Sequence, residues 1–180
     1  MWLLTLKTNT YRHYNNVLRK SIRNRVSRPC NNETLFLAFC LENQEEIESI
    51  KDYPLVTDYE YDVEPGKTNS GRGDLILTDG ENNYLIVEVK FLSENSGKTA
   101  RTRRKTQKNK VYEQALNYKE KFQKKFPKAK VDCITLTNEI LFTNKELAER
   151  FSSFREQKKK LWKIREQNLY PVKIQGQIKK

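Results

Sequence analysis

The run Tyr84–Leu92 (YLIVEVKFL) limits the possible folds more than any other segment of the chain. Side chains alternate between the two faces of a strand, so Tyr84, Ile86, Glu88 and Lys90 share one face, and Val87, Val89 and Phe91 share the other. The second face carries no charge, and the first is apolar until Glu88. A strand apolar on both faces is buried on both, which requires a sheet covered by helices on each side. The preceding run Arg72–Thr78 (RGDLILT) also reads as a strand, and the turn-forming residues 79–83 (DGENN) join the two into a hairpin.

The other elements follow from their periodicities. Residues 31–50 open with capping-type residues and continue with Leu35, Phe36, Phe39, Cys40, Ile47 and Ile50, as a packed first helix would. Residues 54–63 (PLVTDYEYDV) give a first strand, residues 102–126 a long helix, and residues 130–137 (KVDCITLT) a fourth, apolar strand. The predicted order is helix, three strands, helix, strand. A helix between the third and fourth strands implies a central mixed four-stranded sheet of the α/β class, with helices against its faces. Length is ample for one core and short for two, and no linker rich in Pro, Gly or Ser divides the 180 residues. The expectation is one domain over 1–180, with a core at about 31–140. A basic N-terminal helical arm (1–30) either packs on that core or extends from it. A helical extension (141–180) ends in a frayed tail at 176–180, and packing on the domain is the expected fate of Trp162.

Charge on a buried strand needs a partner, a metal or a chemical role. Asp74 lies fourteen residues before Glu88, and each sits near the end of its run, with Lys90 two places further on. Two carboxylates and an ammonium can hold a divalent cation against a phosphate. Oxygen-only ligands suit Mg²⁺ or Mn²⁺ and not zinc. On the long helix, Gln114 and Tyr118 are four apart on one face, with Val111, Ala115 and Phe122 on the same stripe.

At these residues the chain resembles the PD-(D/E)XK nucleases, whose fold is called restriction-endonuclease-like. Asp74 matches the motif's Asp, and Glu88-Val89-Lys90 matches (D/E)-X-K. Gln114-x-x-x-Tyr118 looks like the signature of the RecB-like branch. The resemblance covers approximately 33–138 and implies a restriction-endonuclease-like core of order αβββαβ. It further implies Asp74 and Glu88 as metal ligands, with the Val89 carbonyl as a third. Lys90 would orient the attacking water or neutralise the transition state, while Gln114 and Tyr118 position water, lysine or substrate. Two departures are visible. Gly73 stands where the family's Pro would be. The extra acid that many members carry on the first helix has five contenders, Glu33, Glu42, Glu45, Glu46 and Glu48, of which Glu33 is favoured by its place at the start of the apolar run.

The implied activity is metal-dependent endonucleolytic hydrolysis of DNA. The alternatives are a structure-specific or end-processing nuclease, of junction-resolvase or flap type, and a non-catalytic DNA-binding module on the same fold. RNA is an open alternative to DNA. Cutting both strands normally takes two sites, with which a homodimer is compatible.

Composition points to the same partner. The net charge is +12, and residues 98–130 hold thirteen basic and two acidic side chains, whereas residues 42–94 hold four basic and fourteen acidic. Concentrating one sign costs self-repulsion unless a polyanion relieves it. Arg101, Arg103, Arg104, Lys105, Lys108 and Lys110 follow the catalytic-type strand directly and are the expected phosphate contacts. A solvated loop or a nuclear-localisation patch has the same composition.

Other chemistries are disfavoured. His13 is the single histidine, and Cys30, Cys40 and Cys133 lack C-x-x-C spacing, so neither a zinc site nor a disulfide framework is indicated. The apolar start at residues 2–6 is too short for a signal or membrane segment. A soluble, intracellular protein is expected, nuclear if it acts in a eukaryotic cell.

Overall fold

A computed structural model of the chain describes residues 2–62 and 72–169. Among the described residues five α-helices and four strands follow in order, with one 3-10 turn (Gln44–Glu46) after the second helix: α1 (Trp2–Val26), α2 (Asn32–Glu42), β1 (Leu55–Asp62), β2 (Arg72–Thr78), β3 (Asn83–Lys90), α3 (Lys98–Lys125), β4 (Lys130–Thr137), α4 (Ile140–Thr143) and α5 (Lys145–Leu169). The strands form one mixed sheet in the order β1-β2-β3-β4. β1 with β2 and β2 with β3 are antiparallel, and β3 with β4 is parallel. The fold is α/β, a four-stranded mixed sheet flanked by helices.

Alternation decides the two faces. Leu85, Val87 and Val89 of β3, with Leu75 and Leu77 of β2, enter the main core beneath α2 and α5. Phe36 and Phe39 of α2 meet Phe151 of α5 edge-on, at centroid distances of 5.8 and 5.2 Å. Ile76 and Ile86 point the other way, into a smaller cluster that Tyr118 of α3 covers. β3 is therefore buried on both sides, as its composition predicts.

Several boundaries differ from the sequence reading, each for a local reason. The first helix stops at Glu42 instead of near Ile50. Both the N–H and the side-chain amide of Asn43 donate to the Phe39 carbonyl, and the buried Gln44 amide then donates to the carbonyls of Ile50 and Tyr53. Ile47 and Ile50 are buried from turns, not from helix. α3 begins four residues early, at Lys98, after Gly97 at φ +113°, a conformation open chiefly to glycine. Arg104 braces this start by donating to the carbonyls of Ser93 and Asn95. The β2–β3 turn uses Gly80 at φ +92° and Asn82 at φ +87°, with the Asp79 carboxylate accepting from the Glu81 and Asn83 N–H groups. Val63 and the expected tail at 176–180 lie outside the described residues.

The N-terminal arm packs on the core where it is described. Ile22 and Val26 of α1 are buried in the main core, as are Leu147 and Phe151 of α5, so that core reaches beyond residues 31–140. Trp162 packs against the same core and donates its indole N–H to the Val26 carbonyl at 2.9 Å. Among the described residues no helix is long and apolar enough to cross a membrane.

Candidate metal-binding active site

The β2–β3 ladder ends at the pair Leu75–Val87, and one step further the opposing residues are Asp74 and Glu88. Here side chains take over from the backbone. The Asp74 carboxylate accepts from the Val89 N–H at 2.7 Å, and the Glu88 carboxylate accepts from the Asp74 N–H at 3.2 Å. The contact found at Val89 is thus through its N–H. By the alternation of each strand, both carboxylates lie on the α3 side of the sheet. Glu88 is 5 % exposed and Asp74 half-buried.

Ionising both groups is costly. Burial, with Asp74 opposite, pushes the Glu88 carboxyl up to about 8, although the Asp74 N–H and Lys90 oppose this. Burial likewise pushes Asp74 up to about 6, with Glu33 and Glu60 adding to it, while the Val89 N–H and Lys90 pull the other way. Two carboxylates in one water-poor place ionise together only if a cation is supplied.

Glu33, in the first turn of α2, reaches this end of the sheet. Its carboxylate pairs with the Lys90 ammonium at 2.8 Å and accepts from the Phe91 N–H at 3.3 Å. Of the other glutamates considered with it, Glu46 pairs with Arg150 and Glu48 with Lys51. Asn31 caps α2 by accepting from the Thr34 N–H at 2.8 Å, which fixes where the helix starts and so where Glu33 stands. The buried Asn138 clips the chain beyond β3, accepting from the Leu92 N–H at 2.7 Å and donating to its carbonyl.

Tyr118 approaches from α3. Burial pushes its phenol up, Glu88 and Asp74 add to this, and a hydrogen bond with the Gln114 side chain opposes it. Tyr118 is therefore within electrostatic reach of the carboxylates, and Gln114 meets the Tyr118 phenol. Gly73 also has a structural reason. A Cβ there would fall 2.3 Å from the Tyr61 ring, so β1 occupies the space that a proline would need.

The donor set fits a hard divalent ion. Asp74 and Glu88 offer oxygen ligands only, beside an acidic third group, Glu33, that Lys90 neutralises. Among the described residues no three His, Cys, Asp or Glu side chains form a complete cage for a metal. Mg²⁺ does not require one, because it keeps several waters and is bound through one or two carboxylates plus substrate phosphates.

The basic residues expected to meet phosphate occupy the first turns of α3, a short loop away from Lys90. Arg101, Arg103, Lys105 and Lys110 are exposed. Arg104 is engaged with the loop carbonyls, and Lys108 is 2.6 Å from Glu139. A second group escaped the sequence reading residue by residue. Arg25 and Arg28 at the end of α1 meet Arg165 of α5 around one surface cavity. The signals in the sequence were the basic composition of residues 1–28 and of residues 155–165 (REQKKKLWKIR). Glu60, opposite Asp74 on β1, left none, although its φ of +47° is rare outside glycine. Comparison with protein-family models, with curated proteins and with solved structures finds no significant match.

Proposed function

We propose that this chain is a metal-dependent nuclease that hydrolyses phosphodiester bonds in DNA, on a core of the restriction-endonuclease-like type. The observation that carries the reading is the placement of Asp74 and Glu88 directly opposite each other, Glu88 buried and Asp74 half-buried, beyond the last ladder pair of β2 and β3. Capping a strand end does not by itself call for two facing acids, one of them buried. A site that must attract a cation does.

Asp74 and Glu88 would hold Mg²⁺ or Mn²⁺, which supplies the charge that lets a water deprotonate near neutral pH and that screens the phosphate oxygens. Lys90 brings an ammonium to the same place and exchanges its Glu33 contact for the incoming phosphate or the attacking water. Glu33 keeps Lys90 extended towards the site. Tyr118, whose phenol stays protonated, directs an O–H donor towards the same region, and Gln114 holds that phenol in position. Exposed Arg101, Arg103, Lys105 and Lys110 draw the backbone to the cleft through counterion release.

The test is direct. Purified protein is incubated with supercoiled plasmid, linear duplex, single strand, branched DNA and RNA, each with Mg²⁺, Mn²⁺ or EDTA. Cleavage of DNA that needs the metal is the expected result, and undiminished cutting in EDTA would sink the mechanism.

A further inference from the structure

Beside the carboxylates, on the α3 side of the sheet, a cavity of about 300 Å³ opens between β1, α1 and the second half of α3. Six rings line it: Tyr11, Tyr61, Tyr84, Tyr118, Phe122 and Phe126. Four of them form a connected wall. Tyr84 lies 5.3 Å from Phe122, and Phe122 lies 4.8 Å from Phe126, while the Tyr11 and Tyr84 hydroxyls share a hydrogen bond of 2.9 Å. Phe126 is 44 % exposed, so an aromatic face remains open at the rim. Lys121 and Lys125 also border the cavity.

One polar group of a residue that lines the cavity is unexplained by the fold. The Tyr61 hydroxyl is buried and, among the described residues, has no hydrogen-bond partner. A stranded buried hydroxyl costs roughly what a lost hydrogen bond costs, so such groups are rare unless a ligand or ordered water completes them. Asp58, on the same strand, lines the cavity too. The Tyr61 phenol lies within reach of Glu88 and Asp74, and Tyr118 belongs to both the cavity and the carboxylate site.

We propose that this cavity is a nucleobase subsite, which takes an unpaired base of a nucleic-acid strand whose backbone passes the Asp74–Glu88 site. Aromatic faces with cations at their edge bind bases by stacking and are indifferent to sequence, because every base has a π-face. The volume admits a single base, which must leave its stack to enter. A base stacked in a duplex cannot enter, so the preferred substrate is single-stranded, or duplex carrying an unpaired nucleotide. This rests on the nuclease reading for the identity of the strand, but its own observations are the ring wall and the orphaned Tyr61 hydroxyl.

Binding is measured by fluorescence anisotropy in EDTA, where no turnover occurs, with labelled single strand, blunt duplex and duplex carrying one bulged nucleotide. A free nucleoside monophosphate serves as competitor. Single strand and bulged duplex are expected to bind about tenfold tighter than blunt duplex. Tyr61→Phe should lose about fivefold on those two probes only, with no fall in melting temperature, since it deletes a hydroxyl that has no partner in the fold. Phe126→Ala, at the exposed rim, should weaken the same two probes. Equal affinity for all three probes, or Tyr61→Phe binding like wild type, overturns the proposal. A mononucleotide that competes as well as the strand overturns it in favour of a free-nucleotide site. Cleavage in Mg²⁺ without probe preference removes the subsite and leaves the nuclease reading, whereas preference without cleavage does the reverse.

Discussion

The face of the sheet beneath α2 and α5 is closed by aliphatic side chains and phenylalanines, whereas the face beneath α3 carries tyrosines, a half-buried cysteine and, at one end, two carboxylates. Both belong to the same four strands. The difference follows from what each covering layer offers. Leu35, Phe36, Phe39 and Phe151 leave no polar partner on the first face, so a carboxylate there would be stranded. α3 brings only Val111, Ala115 and Tyr118 fully down onto the second, and the strand end stays open enough for backbone N–H groups to reach the acids. One face supplies stability, and the other spends some of it on a charged site.

Asp74→Asn is the sharpest way to test that division, because it should abolish metal-dependent cleavage while its amide oxygen still accepts from the Val89 N–H, leaving the melting temperature at or above that of wild type. A variant that cuts normally would make Asp74 a strand cap and nothing more. Phe36→Ala, on the opposite face, should do the converse. It removes a ring that contacts Phe91 and Phe151 and should cost about 3–5 kcal/mol, lowering the melting temperature by about 10 °C. If heating curves show no loss, the main core does not rest on that cluster.

The third effect is a pH dependence of the metal-free protein. The folded-state values of Asp74 and Glu88, about 6 and about 8, lie above their ordinary values of 3.8 and 4.5. Between those limits the folded state retains protons that the unfolded state has released, so stability should fall as pH rises from about 4 to about 8 and then level off. Glu88→Gln keeps the acceptor for the Asp74 N–H but removes the charge. At pH 8 in EDTA it should gain on the order of 2 kcal/mol, or about 4–8 °C in thermal melts. Added Mg²⁺ should stabilise wild type and not this variant. No gain at pH 8 would mean that the pair ionises without penalty, contrary to the buried geometry.

Gln114→Ala should have a smaller effect. If Gln114 holds Tyr118 for the reaction, cleavage falls by a factor of tens, with DNA affinity and melting temperature near wild type. Unchanged kinetics would return the helix face to packing alone. Smallest is the electrostatic term. Neutralising exposed Arg103 should reduce the slope of log affinity against log salt by roughly 0.9 on duplex DNA, whereas an unchanged slope would place α3 away from the backbone path.

The elements were legible because strand and helix periods are local. The alternation in YLIVEVKFL gave a doubly buried β3, and residues 130–137 form β4 with the bounds read from the sequence. Asp74 and Glu88 fall opposite because a short turn sets the register of a hairpin. The end of α2 was less legible, since no Gly or Pro marks it and the stop depends on side-chain bonds from Asn43 and Gln44.

What tertiary structure alone decided are contacts between residues far apart in the chain. Composition could not choose among five glutamates; the crossing of α2 past the end of β3 brings Glu33, and not its neighbours, to Lys90. Nor could it explain Gly73, whose missing side chain is accounted for by the Tyr61 ring of the adjacent strand. Arg25, Arg28 and Arg165 look like scattered basic residues until α1 and α5 pack together. Local sequence determines which face a side chain takes, because that depends on backbone geometry over a few residues. Its partner across the fold depends on how helices and sheet fill space together, and here that packing set both the surroundings of the carboxylates and the cavity beside them.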